Sequence, residues 1–240
     1  MKKKLFLNGI VLISMFSSFQ YFQENSSPNV KIVEPDQNDE FSWNKIIPYE
    51  ITINDKEDGY SEYDEIINSE VILTVQYLND SSKVKNYLAQ KIQKNYKVLS
   101  WMGSSNCFTC HAAKDKLIGP SFSEISNKYC DDSEQQDNLF QKIKSGGSGI
   151  WGNQIMPAHP DLDSEKVREA VKWILGTASN SDFSFYAGTQ GAFRTRQKPI
   201  ENKGFLGVYV LSGHYRDKGT NGAINTRKIG SQTIVLKYKE

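Results

Sequence analysis

The chain has 240 residues, 38% of them hydrophobic and 24% charged, with 29 Lys and Arg against 28 Asp and Glu and a formal charge of +1. This is the composition of an ordinary globular protein, long enough for one large or two small domains. The charge balance, without any basic block, argues against nucleic acid as a partner.

Residues 1–20 read as an export signal or an N-terminal anchor. Lys2, Lys3 and Lys4 form the positive end, residues 5–16 are mostly apolar, and Ser17 and Ser18 supply small side chains near a cleavage point, without a clean A-x-A pattern. The apolar run falls short of the roughly 20 residues that span a bilayer. Cleavage is therefore expected, with membrane association only through residues 1–20. With no cysteine near the end of that run, a lipid anchor is not expected. Export would place the protein in the periplasm or otherwise outside the cytoplasm.

Residues 23–30 are polar and read as a linker. A period of two follows: Tyr49, Ile51 and Ile53 alternate with polar neighbours, as do Val71, Leu73, Val75 and Tyr77, with a turn-rich break at residues 55–59. The acidic side chains in that break, Asp55, Glu57 and Asp58, suit calcium by type. Their spacing matches no Ca²⁺ loop, so a solvated turn is the ordinary reading.

The period then turns helical. Val84, Tyr87, Leu88 and Ile92 share one face, and Val98, Leu99 and Met102 form a second stripe. Phe122, Ile125 and Tyr129 suggest a short helix, as do Leu139, Phe140 and Ile143. Asp163 is the expected N-cap of the best helix, which carries Glu165 in its first turn and Val167, Ala170, Val171, Ile174 and Leu175 on one face, stopping at Gly176. Strand character returns from Phe205 to Tyr238, with Val208, Val210, Ile234 and Leu236.

Between the second and third helices stands Cys107-Phe108-Thr109-Cys110-His111. Cys-x-x-Cys-His is the attachment signature of c-type haem. Two sulfurs three positions apart reach the two vinyl groups of one porphyrin, and the histidine that follows is held beneath the iron. A thioredoxin-like dithiol would follow a strand, whereas a helical stripe precedes this motif. A zinc site would need a second ligand pair, and only Cys130, His159 and His214 remain. A disulfide within the pair would leave His111 unexplained. Cys130 is then left over. An odd thiol in an oxidising compartment can pair between molecules, burial is its ordinary fate, and no function is assigned to it.

The sixth iron ligand decides what such a haem can do. Met1 and Met15 lie in the leader and Met102 on the helix entering the motif, which leaves Met156, in a glycine-rich stretch stiffened by Pro157. Core filling is the usual role of a methionine, but few apolar neighbours surround this one. His159 is the alternative ligand.

Residues 95–176 resemble the small bacterial class I cytochromes c. The resemblance is carried by the haem motif, Leu117-Ile118-Gly119-Pro120-Ser121-Phe122, Ile143-Lys144-Ser145-Gly146-Gly147, Gly149-Ile150-Trp151-Gly152, Met156-Pro157 and Val171-Lys172-Trp173-Ile174-Leu175. It implies one covalent haem c on Cys107 and Cys110, His111 and Met156 as axial ligands, and a Pro120 carbonyl that accepts the ring N–H of His111. It also implies that Trp151 lies at the haem edge near a propionate and that Trp173 packs the last helix against the haem and the first helix. Core packing alone is the plainer reading of both tryptophans. Where the family often has a second proline after Met-Pro, this chain has Ala158 and His159, which bears on loop rigidity rather than ligation.

The flanks resemble Ig-like modules of the polycystic-kidney-disease type, on residues 48–59, 70–77, 207–217 and 231–236. Neither flank alone supplies the roughly seven strands such a sandwich needs. The expected fold is therefore an α+β multidomain chain: an all-α cytochrome c domain, residues 84–178, inserted in or flanked by a discontinuous Ig-like β-sandwich of residues 31–80 and 200–240. Its inward side chains would be Ile51, Ile53, Leu73, Val75, Val208, Val210, Ile234 and Leu236. Similar modules accompany quinoprotein sugar dehydrogenases, which implies a donor class. The expected function is single-electron transfer between redox partner proteins, a dehydrogenase donor and a downstream acceptor. The competing functions are a haem peroxidase or gas-binding protein with an open sixth position, and a binding or docking module.

Overall fold

The computed structural model describes residues 24–90, 92–129, 131–199, 207–220 and 224–239. The expected leader, Cys130 and Phe205 lie outside them. Five strands come first: β1 (Asn29–Glu34), β2 (Glu40–Phe41), β3 (Ile46–Asp55), β4 (Gly59–Tyr60) and β5 (Ile72–Leu78). Helices α1 (Val84–Gln90), α2 (Ile92–Ser104), α3 (Phe122–Lys128) and α4 (Ser133–Ser145) follow, then a hairpin of β6 (Gly147–Gly149) and β7 (Gly152–Met156), then α5 (Ser164–Thr177). The chain closes with β8 (Phe183–Ala187), β9 (Gln190–Arg194), β10 (Val208–Arg216) and β11 (Ile229–Tyr238). The segment expected to be all helical thus contains a hairpin. The residues expected to be a linker include Asn25, which is buried and hydrogen-bonded to Asp217 and to the Thr226 carbonyl.

Both large sheets mix strands from the two sides of the helical segment. In one, β3 pairs with β1 and β4 and, on its other half, with β9, where Pro48 faces Ala192. In the other the order is β2-β11-β10-β5-β8, with Leu73 opposite Gly213 and Thr74 opposite Phe185. The C-terminal share of the sheets begins at Phe183, earlier than the expected residue 200. The strands β8 and β9 carry no clean alternation in isolation; long-range pairing makes them strands.

The two sheets share one apolar core. It contains Ile51 and Ile53 of β3, Leu73 and Val75 of β5, Tyr209 and Leu211 of β10, and Ile234 and Leu236 of β11. Val208 and Val210, expected there, face the other way: Val210 packs with Tyr87 and Tyr96 of the helices. The register error has a physical cause. Strand β10 is buried on both faces, so its hydrophobic run is continuous and its alternation carries no sign.

The helices rest on the outer face of the five-stranded sheet. Val98, Leu99 and Met102 of α2 and Ala170, Trp173 and Ile174 of α5 share a core with Ile72 of β5 and Phe183 and Phe185 of β8. A second helical core joins Phe140 of α4 to Val167, Val171 and Leu175 of α5. Asp163 caps α5 as expected, accepting from the Lys166 N–H at 2.9 Å. That helix runs one residue past Gly176, because Ala178 N–H still closes onto the Ile174 carbonyl at 3.1 Å.

His214 lies at this helix–sheet contact, fully buried and stacked on Tyr96 with ring centroids 4.2 Å apart. Among the described residues neither ring nitrogen has a hydrogen-bond partner of good geometry, and the Ser212 backbone offsets the burial only in part. Burial pushes its pKa down to about 3, below the roughly 6.5 of an unfolded chain. Between those values only the unfolded chain takes up the proton, so stability is lost as pH falls below about 6.5, with a slope approaching ~1.4 kcal/mol per pH unit. The substitution His214→Phe is expected to flatten that acid limb. Urea unfolding of both proteins at several pH values checks this, and parallel acid limbs would contradict it.

Candidate haem site

Helix α2 ends at Ser104, and Asn106, in the left-handed region at φ 60°, turns the chain into a tight 3-10 turn at Cys107–Thr109. The N–H groups of Cys110 and His111 both close onto the Cys107 carbonyl, at 3.3 and 3.1 Å. Two thiols and one imidazole therefore lie on a single turn. The thiols are free. Burial pushes Cys107 up to about 11, which keeps it a thiol at neutral pH and disfavours a redox-active dithiol that works as thiolate. Among the described residues no three His, Cys, Asp or Glu side chains are grouped as a metal-ligand cluster.

The loop after the motif is built to orient His111. Its Nδ1 lies 2.7 Å from the Pro120 carbonyl oxygen. That oxygen can only accept, so Nδ1 donates and Nε2 keeps its lone pair. Burial pushes the His111 pKa down, partly offset by this bond, and the ring is neutral, as a metal ligand must be. Gly119 passes so close that a Cβ there would lie 2.5 Å from His111 Cε1, so no other residue fits without displacing the ring. Pro120 is fixed from the far side by the N-terminus of α3. Ser121 Oγ accepts from Glu124 N–H at 3.1 Å while Glu124 Oε2 accepts from Ser121 N–H at 2.7 Å, a full capping box. Phe122 then stands 5.3 Å from the imidazole, centroid to centroid.

The remaining expected residues lie on other elements. Met156 ends β7, paired with Gly147 and half-buried. The chain beyond it is pinned to α4, His159 N–H donating to the Ile143 carbonyl at 3.0 Å and Lys144 Nζ to the Leu162 carbonyl at 2.6 Å. Trp151 sits at the hairpin tip, 6.4 Å from the Tyr129 ring and 5.0 Å from Lys128 Nζ. Trp173 is buried, donates from Nε1 to Asn95 Oδ1 at 2.9 Å, and lies against Phe183 and Phe185. Asn95 lies on α2, so this bond ties α5 to α2. No hydrogen bond or ring contact joins Met156, Trp151 or Trp173 directly to the Cys-x-x-Cys-His turn. Sequence reading missed Asn95, Phe185 and the capping pair. Ser121-x-x-Glu124 was legible as a capping signature; the other two depend on distant partners.

The residues present fit a covalent haem. Two free thiols flank a neutral imidazole with one nitrogen uncommitted. Leu117 and Ile118 in the loop after the motif, and Ile150 and Ile155 on the β6–β7 hairpin, are 51%, 52%, 70% and 66% exposed, four large apolar side chains that the polypeptide itself does not cover. Such a set suits the edge and faces of a porphyrin.

A family model for cytochrome c matches residues 89–178. Cytochrome c-551 of Azotobacter vinelandii is 42% identical over 72 residues, 30% of this chain and 87% of that protein. The chain belongs to the cytochrome c family. Cytochrome c-552 of Hydrogenobacter thermophilus is 39% identical over 69 residues, 29% of this chain and 69% of its own length. The crystal structure of wild-type Nitrosomonas europaea cytochrome c552 shows 33% identity, covering 31% of this chain and 93% of that one, at a TM-score of 0.30. Residues 89–178 are thus a class I cytochrome c unit, and strands β1–β5 and β8–β11 lie outside the matched stretch. One covalently attached haem c per chain is the cofactor, and the protein is an electron carrier rather than an enzyme. Among the described residues no helix is long and apolar enough to cross a membrane.

Proposed function

We propose that this is an exported monohaem cytochrome whose haem is attached through Cys107 and Cys110 and ligated by His111 and Met156. The bound haem supplies a one-electron couple at its iron. His111 holds its ligating nitrogen toward the iron because Pro120 fixes the other one, a restraint that also tunes the metal. Met156 fills the sixth position from the hairpin and thereby disfavours peroxide or gas chemistry there. Trp151 would lie at the haem edge, and Trp173, bonded to Asn95 of α2, would pack α5 and α2 against the bound haem. The observation that carries this reading is the 2.7 Å contact between His111 Nδ1 and the Pro120 oxygen, which leaves Nε2 as the free donor.

The flanking strands are proposed to form one Ig-like sandwich that receives the cytochrome as an insertion. Support comes from the pairing of β5 with β8 and β10, which brings the two ends of the helical segment to neighbouring strands. The flanking resemblance supports an extracytoplasmic dehydrogenase as electron donor, with a downstream acceptor. Signal residues 1–20 would direct the chain to the periplasm.

The ligand set is tested by Met156→Ala and His159→Ala. The oxidised protein is expected to show the weak far-red band of sulfur–iron ligation. Met156→Ala should lose it, turn high-spin or take up added imidazole, and show a lower potential, while His159→Ala should keep the native spectrum. The reverse outcome would transfer the ligand role to His159.

A further inference from the structure

Three segments meet at one end of the sheets: Asn25 and Ser26 ahead of β1, Asp55 to Asp58 at the β3–β4 turn, and Asp217 just past β10. Hydrogen bonds lace them together. Asn25 Nδ2 donates to Asp217 Oδ2 at 2.8 Å and to the Thr226 carbonyl at 2.7 Å. Ser26 donates from N–H and Oγ–H to Glu57 Oε2, at 3.3 and 2.7 Å. The N–H groups of Glu57 and Asp58 donate to Asp55 Oδ1, at 3.0 and 2.7 Å.

Asn25, Asp55 and Glu57 therefore each commit one terminal atom to the protein. The other atom of each, Asn25 Oδ1, Asp55 Oδ2 and Glu57 Oε1, is buried and accepts no hydrogen bond from the described residues. Asn25 is 6% exposed and Asp55 1%, so these are not surface oxygens. The amide of Asn25 has one sensible orientation, since its nitrogen faces two acceptors. Lys228 Nζ donates to the Asn25 main-chain oxygen, and no Lys or Arg forms an ion pair with Asp55, Glu57, Asp58 or Asp217 among the described residues.

We propose that Asn25 Oδ1, Asp55 Oδ2 and Glu57 Oε1 ligate a calcium ion that ties the start of β1 to the β3–β4 turn. Oxygen-only donors select a hard cation over zinc or copper, which prefer nitrogen and sulfur. Donors from separate loops, one of them an uncharged amide, suit the irregular shell of six to eight oxygens that calcium accepts, completed by main-chain carbonyls and water; magnesium demands a stricter octahedron. A dication balances the two ligating carboxylates. Asp217 holds the Asn25 amide in place and links the site to β10. Asp55, read from sequence as part of a solvated turn, is buried, Glu57 and Asp58 are half-buried, and the amide ligand lies thirty residues upstream, where no loop-spacing rule reaches.

The test uses the full-length haem-loaded protein, treated with EDTA and exchanged into chelator-free buffer. Calcium chloride should raise its unfolding temperature by several degrees, with half the effect reached at or below about 1 mM, the upper end for extracellular modules. Magnesium chloride should do far less. Glu57→Gln keeps an acceptor for Ser26 and should require at least tenfold more calcium. Native mass spectrometry of the wild-type chain should count one calcium. An unfolding temperature indifferent to calcium, equal responses of wild type and Glu57→Gln, or no bound calcium in the mass spectrum would each overturn the assignment.

Discussion

Replacing Cys107 and Cys110 together with serine is expected to abolish covalent haem. The wild-type polypeptide should retain its haem through denaturing electrophoresis and acidic solvent extraction, and the double variant should retain none. The expectation rests on the single turn that carries both thiols and His111. Thioether bonds are the only links that survive denaturation, since iron ligation by His111 is lost once the chain unfolds. The loss should extend beyond the cofactor. Leu117, Ile118, Ile150 and Ile155 stand uncovered by protein, so a haem-free chain would present four large apolar side chains to water and be prone to association. Haem surviving denaturation in the double variant would place the attachment elsewhere, and one zinc per chain with no haem would remove the account altogether.

Truncation at about residue 200 is expected to unfold the protein rather than trim it. The cut removes β10 and β11, and β10 is the middle strand of its sheet, bonded to β5 on one side and β11 on the other. It is also buried on both faces. Tyr209 and Leu211 leave the core between the sheets, while Val210 and His214 leave the floor beneath α1 and α2. Each large side chain removed from such a core forfeits about 1.5–3 kcal/mol. Half a dozen of them amount to about 9–18 kcal/mol, comparable to the whole 5–15 kcal/mol that typically holds a domain together. Circular dichroism and thermal unfolding of the fragment decide the matter. A fragment as stable as the full chain, with its β signal intact, would show the two flanks to be independent.

What could be read from sequence follows the range of the interactions involved. The haem motif, the Asp163 cap and the apolar stripe of α5 are local, so spacing alone revealed them. Strands β3 and β5 were legible because enough of their residues alternate. The orientation of Val208 and Val210 was not, because a strand covered on both sides is apolar throughout and its pattern has no direction. Phe183 and Phe185 read as ordinary aromatics until pairing with β5 sets them against α2 and α5. At the site, Pro120 came from family resemblance, and geometry supplied its reason: the Ser121–Glu124 cap and the tight passage of Gly119 hold that carbonyl against His111. Asn95, which satisfies the buried Trp173 N–H, is 78 residues away in the chain, and no local signal points to it.

The central claim, that this chain carries single electrons on one haem, is tested most directly by spectroelectrochemical titration of the full-length holoprotein. The account predicts a single transition for one haem per chain, with the oxidised-to-reduced ratio changing tenfold per about 59 mV, as a one-electron couple requires. A tenfold change per about 30 mV, the signature of a two-electron dithiol–disulfide couple, or no haem transition at all, would contradict it.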